Sequence, residues 1–202
     1  MSLKVQKIDS ILWRILEARS NSTEGKTMVS AQSPAAVGAG SHATRRPARD
    51  LILPGLLLGV GLGGFFDGIV LHQVLQWHHM LTSQGDYPAS TVAGLEVNTL
   101  WDGLFHVSTY VATLAGLFIL AFRLTDGLAW STRMLTGLLL AGWGTFNLVE
   151  GVVDHHILGI HHVKADMPFL DLVFLAVGAL LLAGGLALAR SGEGEADAAH
   201  DA

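Results

Sequence analysis

The sequence predicts an all-α integral membrane protein, a four-helix bundle built from two helical hairpins that repeat in parallel orientation. Half of the 202 residues are apolar and only 14% are charged, whereas a soluble domain usually carries about a quarter charged residues. Four apolar segments each contain about 20 residues or more, the length that crosses a hydrocarbon core of roughly 30 Å. Basic residues cluster outside these segments, which is the charge distribution of a membrane protein.

Residues 1–50 form a polar leader that we expect to be cytoplasmic and mostly disordered. Apolar residues between positions 3 and 16 have helical spacing, which allows a short surface helix. Residues 20–50 are rich in Ser, Ala, Gly and Thr, a composition typical of disorder. The leader has no apolar core before a small-residue cleavage site, so it is not predicted to be a signal peptide. Both Met1 and Met28 are candidate start residues.

The transmembrane domain is predicted to occupy residues 51–190. Its four segments run over 51–77, 97–122, 134–160 and 169–189. Glycines in the first and third segments predict close packing between helix backbones. The acidic tail, residues 191–202, is expected to be disordered.

The orientation follows from the basic residues. Eleven of the 12 Lys and Arg residues lie in the leader, at the second loop or after the last segment, and only Lys164 lies on the other side. The positive-inside rule therefore places both termini in the cytoplasm. We expect an inner-membrane protein whose loops around residues 82–96 and 163–168 face outward.

The first and third segments resemble each other in their polar residues. The run DGIVLHQVLQWHH begins at Asp67, the run EGVVDHHILGIHH begins at Glu150, and the two align without a gap. Shared acids and histidines are informative, because such residues are rare in lipid. Asp102 and Asp171 occupy similar positions near the start of the second and fourth segments. The sequence thus predicts a duplicated hairpin whose two copies have the same orientation.

Eight of the ten histidines lie between His72 and His162, and all are predicted in the outer half of the membrane domain. Helical spacing sorts the ionisable residues into two sets. The predicted inner set is Asp67, His72, Asp102, His106, Glu150, Asp154 and His155. The predicted outer rim is His78, His79, His156, His161, His162 and Asp171.

Imidazoles and carboxylates on facing helices are the ligands of di-iron and di-manganese centres and of mononuclear zinc or non-haem iron sites. The chain contains no cysteine, so thiolate zinc sites and iron–sulfur clusters are excluded. We expect Fe, Zn or Cu, in a mono- or dinuclear site. The alternative is a hydrogen-bonded polar network without metal. Asn147, one turn before Glu150, is a candidate to orient that carboxylate.

Four functions are compatible with this pattern. The first is a membrane oxidoreductase with one or two metal ions beside a lipid or quinone substrate, in which Asp102, His106, Glu150 and His155 are ligands and Asp67 and Asp154 bridge or act as bases. The second is a metal handler that serves respiratory-chain components through the outer-rim histidine pairs. The others are a b-type cytochrome, with His72 and His155 as axial ligands, and a non-catalytic bundle or proton relay. Nucleic-acid binding is excluded, since there is no basic stripe.

Three motifs carry a resemblance to a known family: GFFDGIVLHQVLQWHHML at residues 64–81, WDGLFH at 101–106 and FNLVEGVVDHHILGIHHV at 146–163. The chain resembles the bacterial predicted membrane proteins of domain of unknown function 2243, over roughly residues 50–190. The resemblance implies four spans and a possible association with cytochrome oxidase assembly; it implies no ligand set. A weaker likeness to the histidine-box desaturases and alkane hydroxylases transfers no residue, because their box patterns and membrane side differ.

Overall fold

The computed structural model describes residues 46–201, and all regular secondary structure in this part of the chain is helical. Residues 46 and 128 form one isolated bridge, and no strand occurs between residues 46 and 201. The surface helix and the disordered stretch predicted before residue 46 lie outside the described residues. Within the predicted leader, residues 48–51 form a 3-10 helix that leads into the first long helix.

Four long helices follow in chain order. Helix α1 covers Ile52–Phe66 and continues as a π-helix over Asp67–Val74. Helix α2 covers Val92–Thr125, where the side chain of Thr91 caps the first turn by accepting a hydrogen bond from Gly94. Helix α3 covers Thr132–Glu150 and continues as a π-helix over Gly151–Ile157, and helix α4 covers Phe169–Asp201.

Helices α1 and α3 cross in the centre, and their backbones meet at two glycines. A Cβ atom added to Gly59 would lie 2.2 Å from the carbonyl oxygen of Leu139, and one added to Gly142 would lie 2.3 Å from that of Leu56. Helix α2 packs on α1 and helix α4 packs on α3. The described helices therefore pack in the spatial order α2–α1–α3–α4. The hydrophobic effect does not drive helices together in lipid, so small residues at the contacts matter because they let the backbones approach closely.

Three stretches are long and apolar enough to cross a membrane: Ala48–Val74, Val92–Thr125 and Phe169–Ala196. Helix α3, which contains the predicted third span, is not among them. Its composition explains this, because glycines, Thr145, Asn147 and Glu150 reduce its hydropathy. Between Met134 and Glu150, only Thr136 and Val149 are exposed, so most of α3 contacts neighbouring helices.

The structure corrects the prediction of a disordered tail over residues 191–202, because α4 continues to Asp201. Specific contacts tie this extension to the start of α3. The Ser131 hydroxyl donates a 2.8 Å hydrogen bond to the Gly192 carbonyl, and Arg133 forms a 2.7 Å ion pair with Glu195. Ala196 is fully buried. Apolar burial and these polar contacts with α3 thus support a helix that composition alone would end at Arg190.

Candidate metal centre

The ionisable residues gather at the end of the molecule where α1 and α3 change from α-helix to π-helix. Asp67 is the first residue of one π-helix, and Glu150 immediately precedes the other. The π-helix is rare and is frequently found at functional sites. Each wide turn ends near a residue with positive φ, Gln76 at 48° and Gly159 at 58°, after which the chain turns back toward the helices.

Four imidazoles lie together at the centre of this end. His78 and His161 stack with ring centroids 4.7 Å apart, and each makes an edge contact with another histidine. His72 lies 4.3 Å from His78, and His155 lies 4.8 Å from His161, between ring centroids. All four side chains are at most 3% exposed. They form a single buried cluster.

Two carboxylates border these imidazoles. Oδ2 of Asp67 lies 3.0 Å from Nε2 of His72, and Oε1 of Glu150 lies 3.5 Å from Nε2 of His161. Three overlapping trios of residues bring one ligand atom each to within 4.8 Å of one another. The trios are His72, His78 and His161; Glu150, His155 and His161; and Asp67, His72 and Glu150.

Asp102, on α2, contacts His72 at Nδ1, the ring nitrogen that does not face the cluster. Its Oδ1 lies 2.9 Å from Nδ1 of His72 and also accepts a 2.9 Å hydrogen bond from the backbone N–H of Met80. Its Oδ2 lies 2.7 Å from Nδ1 of His79. A carboxylate in this place orients the His72 ring and directs Nε2 toward the cluster.

Asp171, on α4, has the same relationship to the histidines that follow α3. Its Oδ1 lies 3.3 Å from Nδ1 of His155 and accepts a 2.9 Å hydrogen bond from the backbone N–H of Val163. Its Oδ2 lies 2.7 Å from Nδ1 of His162. Extended without a gap, the alignment of the two repeated runs pairs each of these three partners with its counterpart around Asp102.

The two stacked histidines are held by carbonyl groups of the opposite half. Nδ1 of His78 lies 2.9 Å from the carbonyl oxygen of Val163, and Nδ1 of His161 lies 3.3 Å from that of Met80. Both residues lie beyond the helices. Burial, reinforced by neighbouring imidazoles, lowers the pKa of His78 to about 4 and the pKa of His161 to about 2. Both rings are therefore neutral at pH 7, the state that binds metal.

Several atoms that face the cluster form no hydrogen bond within residues 46–201, although Oδ2 of Asp67 approaches Nε2 of His72 to 3.0 Å as an ion-pair contact. Buried polar atoms without a partner are rare in proteins, and each needs an explanation. In this cluster they include Nε2 of all four central histidines and carboxylate oxygens of both bordering acids: His72, His78, His155, His161, Asp67 and Glu150.

Aromatic rings and glycines shape the walls. Phe105 stacks on His72 at a centroid distance of 5.7 Å, and Phe174 lies 5.4 Å from His155. A Cβ atom on Gly151 would lie 2.7 Å from a side-chain carbon of Leu175, and one on Gly68 would lie 2.7 Å from Nε2 of His106. The walls on the two sides thus correspond, except that one side has His106 where the other has Leu175.

Of the predicted residues, Asp102, Asp171, His79 and His162 lie behind the cluster as described above, and three others do not join it. Nδ1 of His106 lies 2.8 Å from the carbonyl oxygen of Asp102 on its own helix. Nδ1 of His156 lies 2.6 Å from the carbonyl oxygen of Gly151, and its side chain is exposed. Asp154 is half-buried and belongs to none of the three trios. Asn147, the candidate to orient Glu150, forms no hydrogen bond to that carboxylate.

His78 and His161 were predicted at the outer rim, and the structure places both at the centre. Sequence spacing was extrapolated along straight α-helices, which carries these residues outward. The π-helices instead end in turns, where the backbone N–H of Trp77 bonds the carbonyl of Leu71 and that of Ile160 bonds the carbonyl of Asp154. The repeat alignment pairs Gln76 with Gly159, and a glycine readily adopts positive φ. This glycine was the available sequence signal for a turn at the end of each π-helix.

Long apolar helices around a buried, ionisable cluster define the chain as a membrane protein in contact with the lipid bilayer. The family model described as Predicted membrane protein (DUF2243) matches residues 54–192. The chain belongs to this family, as the three motifs indicated. No curated protein and no solved structure matches the chain.

Proposed function

We propose that the chain is a bacterial inner-membrane metalloprotein that holds one or two transition-metal ions and supports oxidoreductase-type chemistry. The proposed ligands are Nε2 of His72, His78, His155 and His161 with the carboxylates of Asp67 and Glu150. One observation carries the proposal: these six side chains present buried polar atoms to a shared space, and Nε2 of His78, His155 and His161 and the carboxylate of Glu150 form no hydrogen bond among the described residues.

The energetics favour a cation in this space. Burying carboxylates and imidazoles without partners is costly, because their hydration is lost and nothing replaces it. A divalent ion would compensate the two carboxylates and accept the imidazole lone pairs. The histidines are preorganised for this role, since Asp102, Asp171 and two backbone carbonyls lie at their Nδ1 atoms.

The ligand types limit the metal. Four imidazoles and two carboxylates suit Fe, Zn or Cu(II), and the soft thiolates that favour Cu(I) are absent from the sequence. Redox-active iron or copper in such a site would supply the electron transfer of an oxidoreductase. The protein would contribute a dry, fixed ligand set.

The geometry favours a resident metal over a delivery site. A metal handler needs an accessible capture site, yet His78 and His161 are only 2% and 0% exposed. Their sequence neighbours His79 and His162 are engaged by Asp102 and Asp171. A b-type haem is disfavoured as well, because the imidazole rings contact one another and leave no gap for a macrocycle.

The proposed architecture has four spans and two copies of one hairpin, with both described ends of the chain in the cytoplasm. Helix α3 has 19 residues and its π-helix adds 7 more, and about 20 suffice to cross the membrane. It can tolerate low hydropathy because its neighbours shield it from lipid. The matching contacts around Asp102 and Asp171 support duplication, and the distribution of basic residues supports the orientation.

Elemental analysis of the full-length protein, purified in mild detergent, tests the metal centre. The wild type should hold one or two equivalents of a transition metal after mild chelation. Glu150→Gln and His161→Gln should lose most of it, whereas His156→Gln should retain it, because His156 lies outside the cluster. A wild type without stoichiometric metal, whose melting temperature does not respond to added Fe, Zn or Cu, would refute the proposal.

A further inference from the structure

A second cavity lies beside the histidine cluster, in the groove between α1 and α4. Its volume is about 410 Å³, within the range of sites for small organic ligands. The lining is mainly apolar and rich in aromatic rings, with Phe66, Trp77, Trp143 and Phe174 among its residues. Its inner end reaches Asp67 of the candidate metal centre.

The cavity opens toward the bilayer. Phe66, Val173 and Val177 line it and are 47%, 47% and 43% exposed, on helices α1 and α4. Both helices belong to stretches that are apolar and long enough to span a membrane. A ligand would therefore enter sideways from the hydrocarbon region, and it must be soluble in lipid.

One polar side chain besides Asp67 faces this apolar space. Asn147 lines the cavity, is only 4% exposed, and forms no side-chain hydrogen bond among residues 46–201. Its N–H groups are free to donate to a ligand, and a carbonyl oxygen is the natural acceptor.

The groove on the opposite side of the molecule is filled. Phe146, which the gap-free alignment of the repeat pairs with Gly63, packs against Phe105 of α2 with ring centroids 5.9 Å apart. Gly63 lines the open cavity at the corresponding place and leaves it free. Asn147 corresponds in the same way to Gly64, so the open space and the free amide occur together on one side only.

We propose that this cavity binds a lipid-soluble quinone. The aromatic walls suit a planar ring, the amide of Asn147 suits a ring carbonyl, and the opening admits an isoprenoid tail from the bilayer. An acyl chain of a phospholipid fits less well, because its ester carbonyl lies at the membrane interface. Asn147 lies ten residues before the end of the π-helix at Ile157, which places it on the order of 10 Å deeper.

Occupancy of this cavity does not depend on the metal centre, so the two proposals can fail separately. The test uses full-length protein in detergent, with its metal removed by chelation, and a benzoquinone bearing a ten-carbon chain as the probe. Quinones quench tryptophan fluorescence, and Trp77 and Trp143 line the cavity. The wild type should show saturable quenching.

Two variants with a matched control test the assignment. Asn147→Leu removes the amide at similar volume and should weaken binding about tenfold, the value of one hydrogen bond. Val173→Phe should block the cavity. Leu104→Phe should bind the quinone like the wild type, because Leu104 is exposed on α2 and does not line the cavity. It is a matched position, since Leu104 lies two residues after Asp102 and Val173 lies two residues after Asp171.

Three results would overturn the proposal. The first is quenching that is linear and identical in the wild type, Val173→Phe and Leu104→Phe, which indicates partition into the micelle. The second is unchanged affinity in Asn147→Leu. The third is displacement of the quinone by an equal concentration of a ten-carbon fatty acid, which would assign the cavity to acyl chains. If Asn147→Leu does not fold, the comparison of quinone binding by Val173→Phe with that by Leu104→Phe still tests the proposal.

Discussion

His78 and His161 stack at the centre of the histidine cluster, with their ring planes only 7° apart. Each ring places Nδ1 near a backbone carbonyl in the loop of the other hairpin, that of Val163 for His78 and that of Met80 for His161. Each half of the molecule thus positions a proposed ligand of the other. The centre requires both halves together, because neither half holds its own stacked histidine in place.

Asp102 and Asp171 should act as positioning residues for the metal ligands. Asp102→Asn or Asp171→Asn keeps the side-chain volume but removes the negative charge beside Nδ1 of His72 or His155. Loss of such a partner typically lowers metal affinity about 10- to 100-fold. Competition with a coloured chelator, measured on each purified variant, gives this ratio.

Asp166→Asn is the matched control for these two variants, since Asp166 lies exposed beside Lys164 in the loop between α3 and α4. Its metal affinity should equal that of the wild type. Equal affinities in all three variants would show that the carboxylates behind the histidines do not support the ligands.

His106 belongs to the ligand set that sequence spacing predicts but not to the set that the structure favours. The corresponding wall residue in the other half is Leu175, so an apolar side chain fits this place. His106→Leu should therefore retain the full metal content and a melting temperature within a few degrees of the wild type. Elemental analysis beside thermal unfolding checks both. Loss of metal in this variant would restore His106 to the ligand set.

Much of the fold follows from the sequence, because membrane helices can be identified by the length of their apolar segments. Three apolar stretches meet this measure in the structure. Helix α3 is harder to assign from composition, since a shielded helix can carry Asn147 and Glu150. The extension of α4 to Asp201 was missed, because it depends on the contacts of Ser131 and Arg133 with residues far away in sequence.

The sequence predicted that several of these residues lie close together, but not how they are arranged. Asp67, His72, Glu150 and His155 follow from the rule that acids and histidines in lipid must meet. The central places of His78 and His161 depend on the π-helices and the turns after them, which no 3.6-residue period reveals. Asp102 was expected among the ligands, whereas its oxygens contact His72, His79 and the N–H of Met80.

The close backbone contact between α1 and α3 at Gly59 should be necessary for the stability of the protein and of the histidine cluster. A Cβ atom at Gly59 would lie 2.2 Å from a backbone oxygen, which no side-chain rotation relieves. Gly59→Ala should therefore lower the free energy of unfolding by about 1–3 kcal/mol and reduce metal retention. Gly184→Ala on α4 is the control, because nothing lies within 4 Å of its added Cβ. Helix propensity alone should leave that variant neutral or slightly stabilised.

These two variants are compared by thermal unfolding in the same detergent. Equal melting temperatures for Gly59→Ala and Gly184→Ala would mean that α1 and α3 do not cross at this point. The cluster would then need another explanation for the proximity of His78 to His161.

Acid should destabilise the metal-free protein through its buried neutral histidines. The pKa of His78 falls from 6.5 to about 4 on folding, and that of His161 falls from 6.5 to about 2. Between pH 6.5 and 4 the unfolded chain therefore binds more protons than the folded one, so stability decreases as pH falls through this window. With both residues contributing, the slope approaches about 2.7 kcal/mol per pH unit. Above pH 6.5 these two groups add no pH dependence.

Thermal unfolding of chelated protein between pH 8 and pH 5 measures this slope before most carboxylates titrate. His78→Gln should lose about half of it, whereas His156→Gln should keep all of it, because His156 is exposed and outside the cluster. Bound metal should suppress the dependence near pH 6 and lose its effect as protons compete for Nε2. A melting temperature that stays constant from pH 7 to pH 5 would mean that these imidazoles are hydrated in the folded protein. A hydrated centre would contradict the dry ligand set on which the proposed chemistry depends.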